Sequence, residues 1–222
     1  MNKYSEYWNN FYKKKITPDY PSNFAKYCLK NFVKKNNNLL EIGTGNGRDA
    51  IFFSKYLKHV TAVDKSKSAI KNLESLKVEK NIFNLSLITC DVSNLKKIIN
   101  NNTNFHFIYM RWFLQSISEK KQDDLLNFLS KIKNFNATIA IETRTSKDSI
   151  KHFKNSKQIS RNEYVVNGNH YRRLIDRNDF TNKLKYYGFK IIHTRESTNF
   201  SRFKSDYSNE KPCLVRYILK KS

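Results

Sequence analysis

The chain has 222 residues, of which 42 are Lys or Arg and 19 are Asp or Glu, so its formal net charge is +23 at pH 7. This length fits one domain, residues 1–222, and no apolar run reaches the ~18 residues of a membrane-spanning helix. The start, MNKYSEYWNN, lacks the apolar stretch of a secretory signal. The three cysteines are far apart and show no metal-ligand spacing. We therefore expect one cytoplasmic domain without a metal site and without membrane contact.

The positive charge has two interpretations, a nucleic-acid surface or a solvated surface. Only 10 of the 42 basic residues are Arg, and the lysines are dispersed among asparagines, as in KKNNN at 34–38 and KKIINNN at 96–102. No compact basic stripe with interleaved aromatic residues is visible. The pattern favours a solvated surface, and nucleic acid stays the alternative partner.

Residues 1–36 predict an N-terminal helical cap. Its first part is rich in aromatic residues, among them Tyr4, Trp8 and Tyr12, and its second part is a helix that starts at the N-cap residue Ser22. The aromatic residues either pack on the sheet or form a flap over a binding site, and we favour the flap.

Strands and helices then alternate along the chain. The predicted strands are 39–42, 59–63, 85–89, 105–110, 137–142, 189–194 and 213–219. The predicted helices are 49–57, 66–80, 93–101, a segment containing Leu125 and Leu129, and 177–187, which Gly188 ends. Such alternation predicts an α/β fold, a doubly wound sheet with helices on both faces. Residues 143–175 interrupt it after the fifth strand, where ligands bind in such sheets, so we predict a substrate-side insertion there.

Three of the five glycines lie in one segment, LLEIGTGNGRDAIFF, as Gly43, Gly45 and Gly47. A glycine turn between a buried strand and a helix lets a ligand approach the backbone. The spacing is GxGxG, and Arg48 occupies the third glycine position of the dinucleotide motif GxGxxG, so a pyrophosphate cofactor is disfavoured.

Two acidic residues end the next two strands. Asp64 follows the second strand, where a carboxylate can accept the hydroxyls of a ribose. Asp91 follows the third strand, beside the position of an adenine, although an aspartate there also serves as a helix N-cap. The order of these three signals resembles the class I S-adenosylmethionine-dependent methyltransferases.

This resemblance implies a Rossmann-like seven-stranded sheet of order 3-2-1-4-5-7-6, with strand 7 antiparallel, and S-adenosyl-L-methionine as cofactor, with S-adenosyl-L-homocysteine as product. The cofactor-binding residues that it implies are Glu41, Gly43, Thr44, Gly45, Asn46, Gly47, Arg48, Asp49, Asp64, Lys65, Asp91, Val92 and Arg111.

A closer resemblance extends over most of the chain. The segments that carry it are PSNFAKY (21–27), EIGTGNGRDAIFFS (41–54), VTAVDKSKSAI (60–70), YMRWFLQSI (109–117), IETRTSKDS (141–149), NHYRRLID (169–176) and KPCLVRYILKK (211–221). They resemble small bacterial methyltransferases associated with capsule and surface-polysaccharide genes, some of them similar to enzymes of O-methyl phosphoramidate assembly. Gln115 departs from that group, which has His at this position.

Charged residues concentrate near the ends of the fourth and fifth strands and in the insertion. The predicted substrate-binding residues are Arg111, Arg144, Tyr171, Arg172 and Arg173. Guanidinium groups bind phosphate bidentately, so this set indicates a small anionic substrate, phosphorylated, phosphoramidate or nucleotide-linked. The candidate catalytic residues are Tyr109, Glu142 and His170; a base is required only if the acceptor is protonated. As a structural alternative, Arg111 pairs with Glu142 or Glu41, and HYRR is a surface segment.

Together these observations predict an O-methyltransferase for a precursor of capsular or surface polysaccharide. An RNA methyltransferase, suggested by the net charge, is the runner-up, and a binding module without turnover is the third hypothesis. The acceptor atom and the oligomeric state are left open.

Overall fold

The computed structural model describes residues 6–13, 20–99, 104–132, 136–149, 155–201 and 212–221. The helices are α1 Tyr7–Lys13, α2 Asn23–Asn31, α3 Arg48–Ser54, α4 Lys67–Glu79, α5 Glu119–Lys131 and α6 Arg177–Tyr186, with 3-10 helices at Val92–Lys97 and Leu114–Ser116. The strands are β1 Asn38–Ile42, β2 His59–Asp64, β3 Leu85–Thr89, β4 Phe107–Arg111, β5 Thr138–Arg144, β6 Ser156–Ser160, β7 Glu163–Val166, β8 His170–Arg173, β9 Phe189–Ser197 and β10 Leu214–Lys221.

Seven strands form the central sheet in the order β3-β2-β1-β4-β5-β10-β9. β10 is antiparallel to both of its neighbours, β5 and β9, whereas β1 to β5 pair in parallel. Since β9 and β10 are the sixth and seventh strands of this sheet along the chain, the observed order is the expected 3-2-1-4-5-7-6. The predicted fold class is confirmed.

Local sequence signals explain where several helices begin and end. The side chains of Ser22, Ser66 and Asp176 accept hydrogen bonds from backbone N–H groups in the first turns of α2, α4 and α6. Gly188, with φ of 76°, follows α6 and ends it. The element boundaries therefore follow from cap residues more than from the apolar pattern.

Apolar side chains pack on both faces of the sheet. One cluster contains Leu125 and Leu129 of α5 and Phe180 of α6. The other contains Phe24 of α2 and Phe53 of α3, together with the inward-facing residues of β1 and β2. Helices thus cover both faces, as expected for parallel strands that are apolar throughout.

Several predicted elements have other bounds than those observed, among them the helix expected at 49–57, which is Arg48–Ser54, and the strand expected at 189–194, which is Phe189–Ser197. The helix expected at 93–101 is the 3-10 helix Val92–Lys97, and residues 100–103 lie outside the described part. The fourth strand begins at Phe107 rather than at 105. β5 continues to Arg144, so Thr143 and Arg144 belong to the sheet and not to the insertion. The antiparallel pairing with β10 extends β5, because Leu214 pairs with Arg144.

The segment after β5 contains a second sheet of order β6-β7-β8, antiparallel throughout. The predicted cap contributes α1 and α2; Tyr4, counted among its aromatic residues, lies outside the described residues. No helix within the described ranges is long and apolar enough to cross a membrane.

Asp49 connects the N-terminal cap to the sheet through hydrogen bonds. Its carboxylate accepts from the backbone N–H and the hydroxyl of Ser22, both at 2.7 Å, and from the Tyr109 hydroxyl at 2.9 Å. All three residues are buried. Hydrogen bonds to a buried charged acceptor are worth more than neutral ones, so this group joins α2, α3 and β4 firmly.

Replacing Ser22 with Ala should lower the free energy of unfolding by about 2 kcal/mol, because the α2 cap and one donor to buried Asp49 are lost together. Urea denaturation measures the change. Ser118→Ala removes only the exposed cap of α5 and should cost about 1 kcal/mol or less. Equal losses for the two variants would show that the bond to Asp49 contributes nothing.

Candidate functional site

A glycine turn connects β1 to α3 at the carboxyl edge of the sheet. Gly43, Gly45 and Gly47 have φ angles of 75°, 56° and 74°, a left-handed conformation that favours glycine. The N–H groups of Gly43 and Thr44 donate to the Val63 carbonyl oxygen at 2.9 and 3.1 Å. The turn is therefore held against the end of β2 through its backbone.

Asp64, at the end of β2, lies directly beside this turn. Its carboxylate accepts from the Gly45 N–H at 2.9 Å and from the Ser66 N–H at 2.8 Å. Burial raises the pKa of Asp64, and these bonds and nearby Lys65 oppose the increase. The predicted ribose acid thus lies where the glycine turn meets α4.

Asp91 lies at the start of the 3-10 helix Val92–Lys97. Its carboxylate accepts from Lys121 Nζ at 2.9 and 2.8 Å and from the Ser93 N–H at 3.0 Å. Burial tends to raise the pKa of Asp91, but the bonds from Lys121 and Ser93 outweigh it and the pKa is lowered. The cap role considered from the sequence is present, and Lys121 is a partner that no local sequence signal indicated.

Glu41, at the end of β1, is buried beneath the turn. Its Oε2 atom has no hydrogen-bond partner among the described residues. Burial and the nearby Asp49 carboxylate raise the pKa of Glu41 well above its ordinary value, and the neighbouring Thr44 hydroxyl opposes the increase. A buried polar atom beside a glycine turn is consistent with a ligand site there.

Glu142 of β5 lies between two arginines. Its carboxylate accepts from Arg111 Nε of β4 at 3.1 Å and from Arg216 Nε of β10 at 2.7 Å, and only 2% of its side chain is exposed. The Arg111–Glu142 ion pair that the sequence left as an alternative is present. Because both carboxylate oxygens are engaged, Glu142 orients the arginines and is poorly placed to act as a base.

Tyr109 of β4 is fully buried, with 0% exposure. Its ring packs on Phe24 and Phe53, and its hydroxyl is bound to Asp49. This position is that of a core residue, because the inward side of β4 faces α2 and α3. Tyr109, a predicted catalytic residue, and Asp49, a predicted cofactor ligand, both form part of the scaffold.

Arg144, at the end of β5, and Arg172 of β8 form one cluster. Arg144 Nη1 donates to Asp148 at 2.7 Å, and Arg172 Nη1 donates to the Ser116 hydroxyl at 3.0 Å. Burial, with the Arg144 charge second, lowers the pKa of Arg172 to about 9. No ion pair joins Arg172 to an acidic residue within the described ranges. The cluster therefore holds a buried positive charge that lacks a full counter-charge.

His170 borders the same cluster from β8. Tyr7 of α1 stacks on its ring at a centroid distance of 4.2 Å, and its Nε2 atom has no partner among the described residues. Burial lowers the pKa of His170 to about 2, with further contributions from Arg172 and Arg144. The imidazole is therefore neutral at physiological pH.

The side chains of the HYRR segment alternate between the two faces of β8. His170 and Arg172 face the cluster, whereas Tyr171 donates to Glu163 at 2.7 Å and Arg173 Nη2 donates to Gln122 Oε1 at 2.6 Å. Arg173 also bonds the Ile117 carbonyl oxygen. These contacts fix Tyr171 and Arg173 in the framework around the 3-10 helix Leu114–Ser116.

Helix α1 spans the site between α4 and β8. Asn9 Oδ1 accepts from the Ser66 hydroxyl at 3.0 Å, and the Asn72 amide donates to the Tyr12 carbonyl oxygen at 2.6 Å. On the other side, the Arg172 guanidinium lies 5.1 Å from the centroid of a Trp8 ring. These contacts place α1 between α4 and β8, and the flap over a cofactor stays a prediction.

Tyr12 of α1 contacts the turn itself. A methyl group added to Gly45 would overlap the Tyr12 hydroxyl, so the phenol lies against the turn backbone. Burial raises the pKa of Tyr12, and the Asp64 carboxylate adds to the increase. Tyr12 was expected in the flap but not assigned a binding role, and Tyr7 was not singled out, because aromatic spacing alone does not reveal which part of the sheet these residues reach.

Comparison with known proteins identifies solved structures with the same fold and a family whose model matches the sequence. No curated protein matches the sequence. Solved structures with the same fold include phosphoethanolamine N-methyltransferase 1 from Haemonchus contortus, with phosphoethanolamine and S-adenosylhomocysteine bound (TM-score 0.74, 14% identity, covering 100% of this chain and 49% of that one). Another is a S-adenosylmethionine-dependent methyltransferase from Clostridium acetobutylicum (TM-score 0.68, 16% identity, 98% of both chains).

A third is 1,6-didemethyltoxoflavin-N1-methyltransferase from Burkholderia thailandensis, with its substrate and S-adenosylhomocysteine bound (TM-score 0.66, 14% identity, 90% of this chain and 76% of that one). At such identities these likenesses show the fold. The model of the methyltransferase domain family matches residues 12–194. Because this match spans most of the chain, the protein belongs to the methyltransferase domain family and is an enzyme of that class.

Proposed function

We propose that the protein transfers a methyl group from S-adenosyl-L-methionine to an oxygen of a small anionic acceptor. The observation that carries the proposal is the buried pair Arg144 and Arg172, whose charge the described carboxylates do not balance. It lies across the glycine turn from Asp64, with α1 covering both sides. We therefore propose that the cofactor and the anion bind next to each other beneath α1.

The residues around the turn fit the cofactor. Asp64 at the end of β2 would accept the ribose hydroxyls, and Asp91 with Val92 would border the adenine. Glu41, Arg48 and Arg111 would surround the amino-acid part of the cofactor, together with Thr44, Asn46, Lys65 and the backbone of Gly43, Gly45 and Gly47. A ligand that contacts this face of Gly45 requires the Tyr12 ring to move, since the phenol lies there.

The acceptor site supplies positive charge and donors. An anionic group between Arg144 and Arg172 would return the counter-charge that these side chains lack, and bidentate guanidinium contacts suit a phosphoryl group. Related enzymes bind small molecules, and the Haemonchus enzyme was crystallised with a phosphorylated one. This supports a phosphorylated, phosphoramidate or nucleotide-linked acceptor over a neutral one.

Methyl transfer from a sulfonium is an in-line displacement, which the bound cofactor supplies with an electrophilic methyl group. The protein has to align the acceptor oxygen and exclude water. An anionic oxygen needs no base. For a hydroxyl acceptor, His170 is the remaining candidate, since Glu142 is bound by two arginines and Tyr109 is in the core. A pKa of about 2 makes His170 a weak base, and an acceptor anion beside Arg144 and Arg172 would raise that pKa.

We further propose that the acceptor is a precursor of capsular or surface polysaccharide and that methylation takes place in the cytoplasm. The segments that resemble the capsule-associated group, from PSNFAKY (21–27) to KPCLVRYILKK (211–221), support this choice. RNA is the alternative acceptor, which the net charge of +23 alone favours. The buried position of the arginine cluster beneath α1 supports a small molecule.

Replacing Asp64 with Ala should weaken S-adenosylhomocysteine binding at least about tenfold, because the ribose loses its charged acceptor. Isothermal titration calorimetry measures the affinity, and thermal melting checks the fold. Asp124→Ala, an exposed change on α5, is the matched control. Failure of the unaltered protein to bind at millimolar ligand would overturn the cofactor assignment.

Replacing Arg172 with Met should lower kcat/KM for the acceptor about 10- to 100-fold and leave S-adenosylhomocysteine affinity unchanged. The assay measures transfer of tritiated methyl groups to a panel of sugar phosphates and nucleotide sugars. The same compounds treated with phosphatase before the assay should not be methylated. Arg161→Met, at an exposed arginine, is the control. Methylation of tRNA or rRNA with steep salt dependence would favour the RNA alternative instead.

His170 should make stability depend on pH. Its folded-state pKa of about 2 lies below the ordinary 6.5, so between these values the unfolded chain binds a proton that the folded chain does not. Stability therefore falls as pH decreases below 6.5, by up to about 1.4 kcal/mol per pH unit from this group. Urea denaturation from pH 7.5 to 5 should show a shallower decrease for His170→Asn. Parallel curves for the two proteins would contradict the burial of a neutral imidazole.

A further inference from the structure

The 3-10 helix Leu114–Ser116 presents two consecutive polar side chains to the arginine cluster. Trp112 introduces this helix with φ of 55°, a strained conformation for a non-glycine residue, while its N–H donates to the Glu142 carbonyl oxygen at 2.7 Å. Ser116 accepts from Arg172, as described above. Its neighbour Gln115 contacts Arg144. The helix therefore joins β4 to both arginines of the cluster.

Gln115 is only 1% exposed, and one end of its amide is fixed. Its Oε1 atom accepts from the Arg144 backbone N–H at 3.0 Å, so the opposite end is the NH₂ group. This Nε2 atom is buried and has no hydrogen-bond partner among the described residues. A buried amide without a partner loses its hydration without compensation, and a hydrogen bond to a ligand oxygen would offset that loss.

The neighbouring side chains carry further buried donor nitrogens without a hydrogen-bond partner among the described residues. Buried nitrogen atoms without partners in the described ranges also occur on Trp112, Arg144 and Arg172. The Arg144 guanidinium lies 5.4 Å from the centroid of the Trp112 ring. The donors around the arginine cluster therefore come from β5, from β8, from the 3-10 helix and from Trp112, which follows β4. Oxygens disposed tetrahedrally accept from several directions, whereas a planar carboxylate presents two oxygens in one plane.

We propose that Gln115 binds the acceptor directly, its Nε2 donating to an oxygen of a tetrahedral oxyanion whose charge Arg144 and Arg172 balance. This inference rests on the proposed function and deepens it by naming a specificity residue and the ligand group, a phosphoryl group. The hydrogen bond from the Gln115 amide is directional and adds no third positive charge. It therefore selects the oxyanion by its geometry. The anionic group belongs to the acceptor and not to the amino-acid part of the cofactor.

Gln115→Glu tests the proposal because it keeps the shape of the side chain and the acceptor for the Arg144 N–H. It replaces the donor with a negative charge, which can pair with Arg144 or Arg172 and so preserve the fold. The probes are inorganic phosphate and S-adenosylhomocysteine, each measured by calorimetry alone and in the presence of the other. Gln158→Glu, at an exposed position of β6, is the matched control, and Gln115→Met is a second variant that removes the donor without adding charge.

We expect phosphate affinity to fall at least about tenfold in Gln115→Glu and clearly in Gln115→Met, with S-adenosylhomocysteine affinity unchanged and Gln158→Glu like the unaltered protein. Phosphate affinity in the unaltered protein should not depend on bound S-adenosylhomocysteine. Unchanged phosphate affinity in Gln115→Glu overturns the inference, and competition between the two probes assigns the oxyanion site to the cofactor carboxylate and also overturns it.

The two proposals fail separately in this experiment. An unaltered protein that binds S-adenosylhomocysteine but not phosphate contradicts the oxyanion site and leaves the cofactor assignment intact. An unaltered protein that binds phosphate and not S-adenosylhomocysteine contradicts the proposed methyl transfer and leaves the oxyanion site standing.

Discussion

Glu142 balances two positive charges in the interior of the sheet, and the site depends on that balance. Arg111 of β4 and Arg216 of β10 are its register partners on the two adjacent strands, so the three charged side chains form one row across the carboxyl edge. A buried guanidinium without an anion costs several kcal/mol, and removing one member of such a row leaves a charge exposed to a low dielectric. The antiparallel strand β10 is thereby joined to the parallel part of the sheet at the edge where ligands bind.

The same row determines where the remaining arginines lie. Arg144 follows Glu142 by two residues on β5, so both project from the same face of the sheet. Asp148 accepts a hydrogen bond from the Arg144 guanidinium, and Gln115 of the 3-10 helix Leu114–Ser116 accepts one from the Arg144 backbone N–H. Arg172 then approaches from the second sheet without a carboxylate of its own in the described ranges. The paired charges of Arg111, Glu142 and Arg216 thus lie beside a cluster in which Arg144 and Arg172 share one described carboxylate, that of Asp148.

One physical cause explains the unusual acid–base properties of this region. Burial, which removes hydration from the charged form, lowers the pKa values of both Arg172 and His170, and the charge of Arg144 lowers them further. An anion in the cluster would oppose this effect. Under the proposed function, binding of an anionic acceptor would therefore raise the pKa of His170.

The sequence by itself determined the fold class, the glycine turn and the ends of the first three strands, because these depend on local signals: apolar runs, glycines that need a left-handed backbone, and cap residues. The tertiary structure decided which polar residues share the cleft. Tyr109 and Asp49 belong to the core and Glu142 to an ion-pair row, while Gln115, Tyr7 and Tyr12 border the site. Those assignments depend on strand register and on the packing of α1 across the sheet, contacts between residues far apart in the chain that no local pattern encodes.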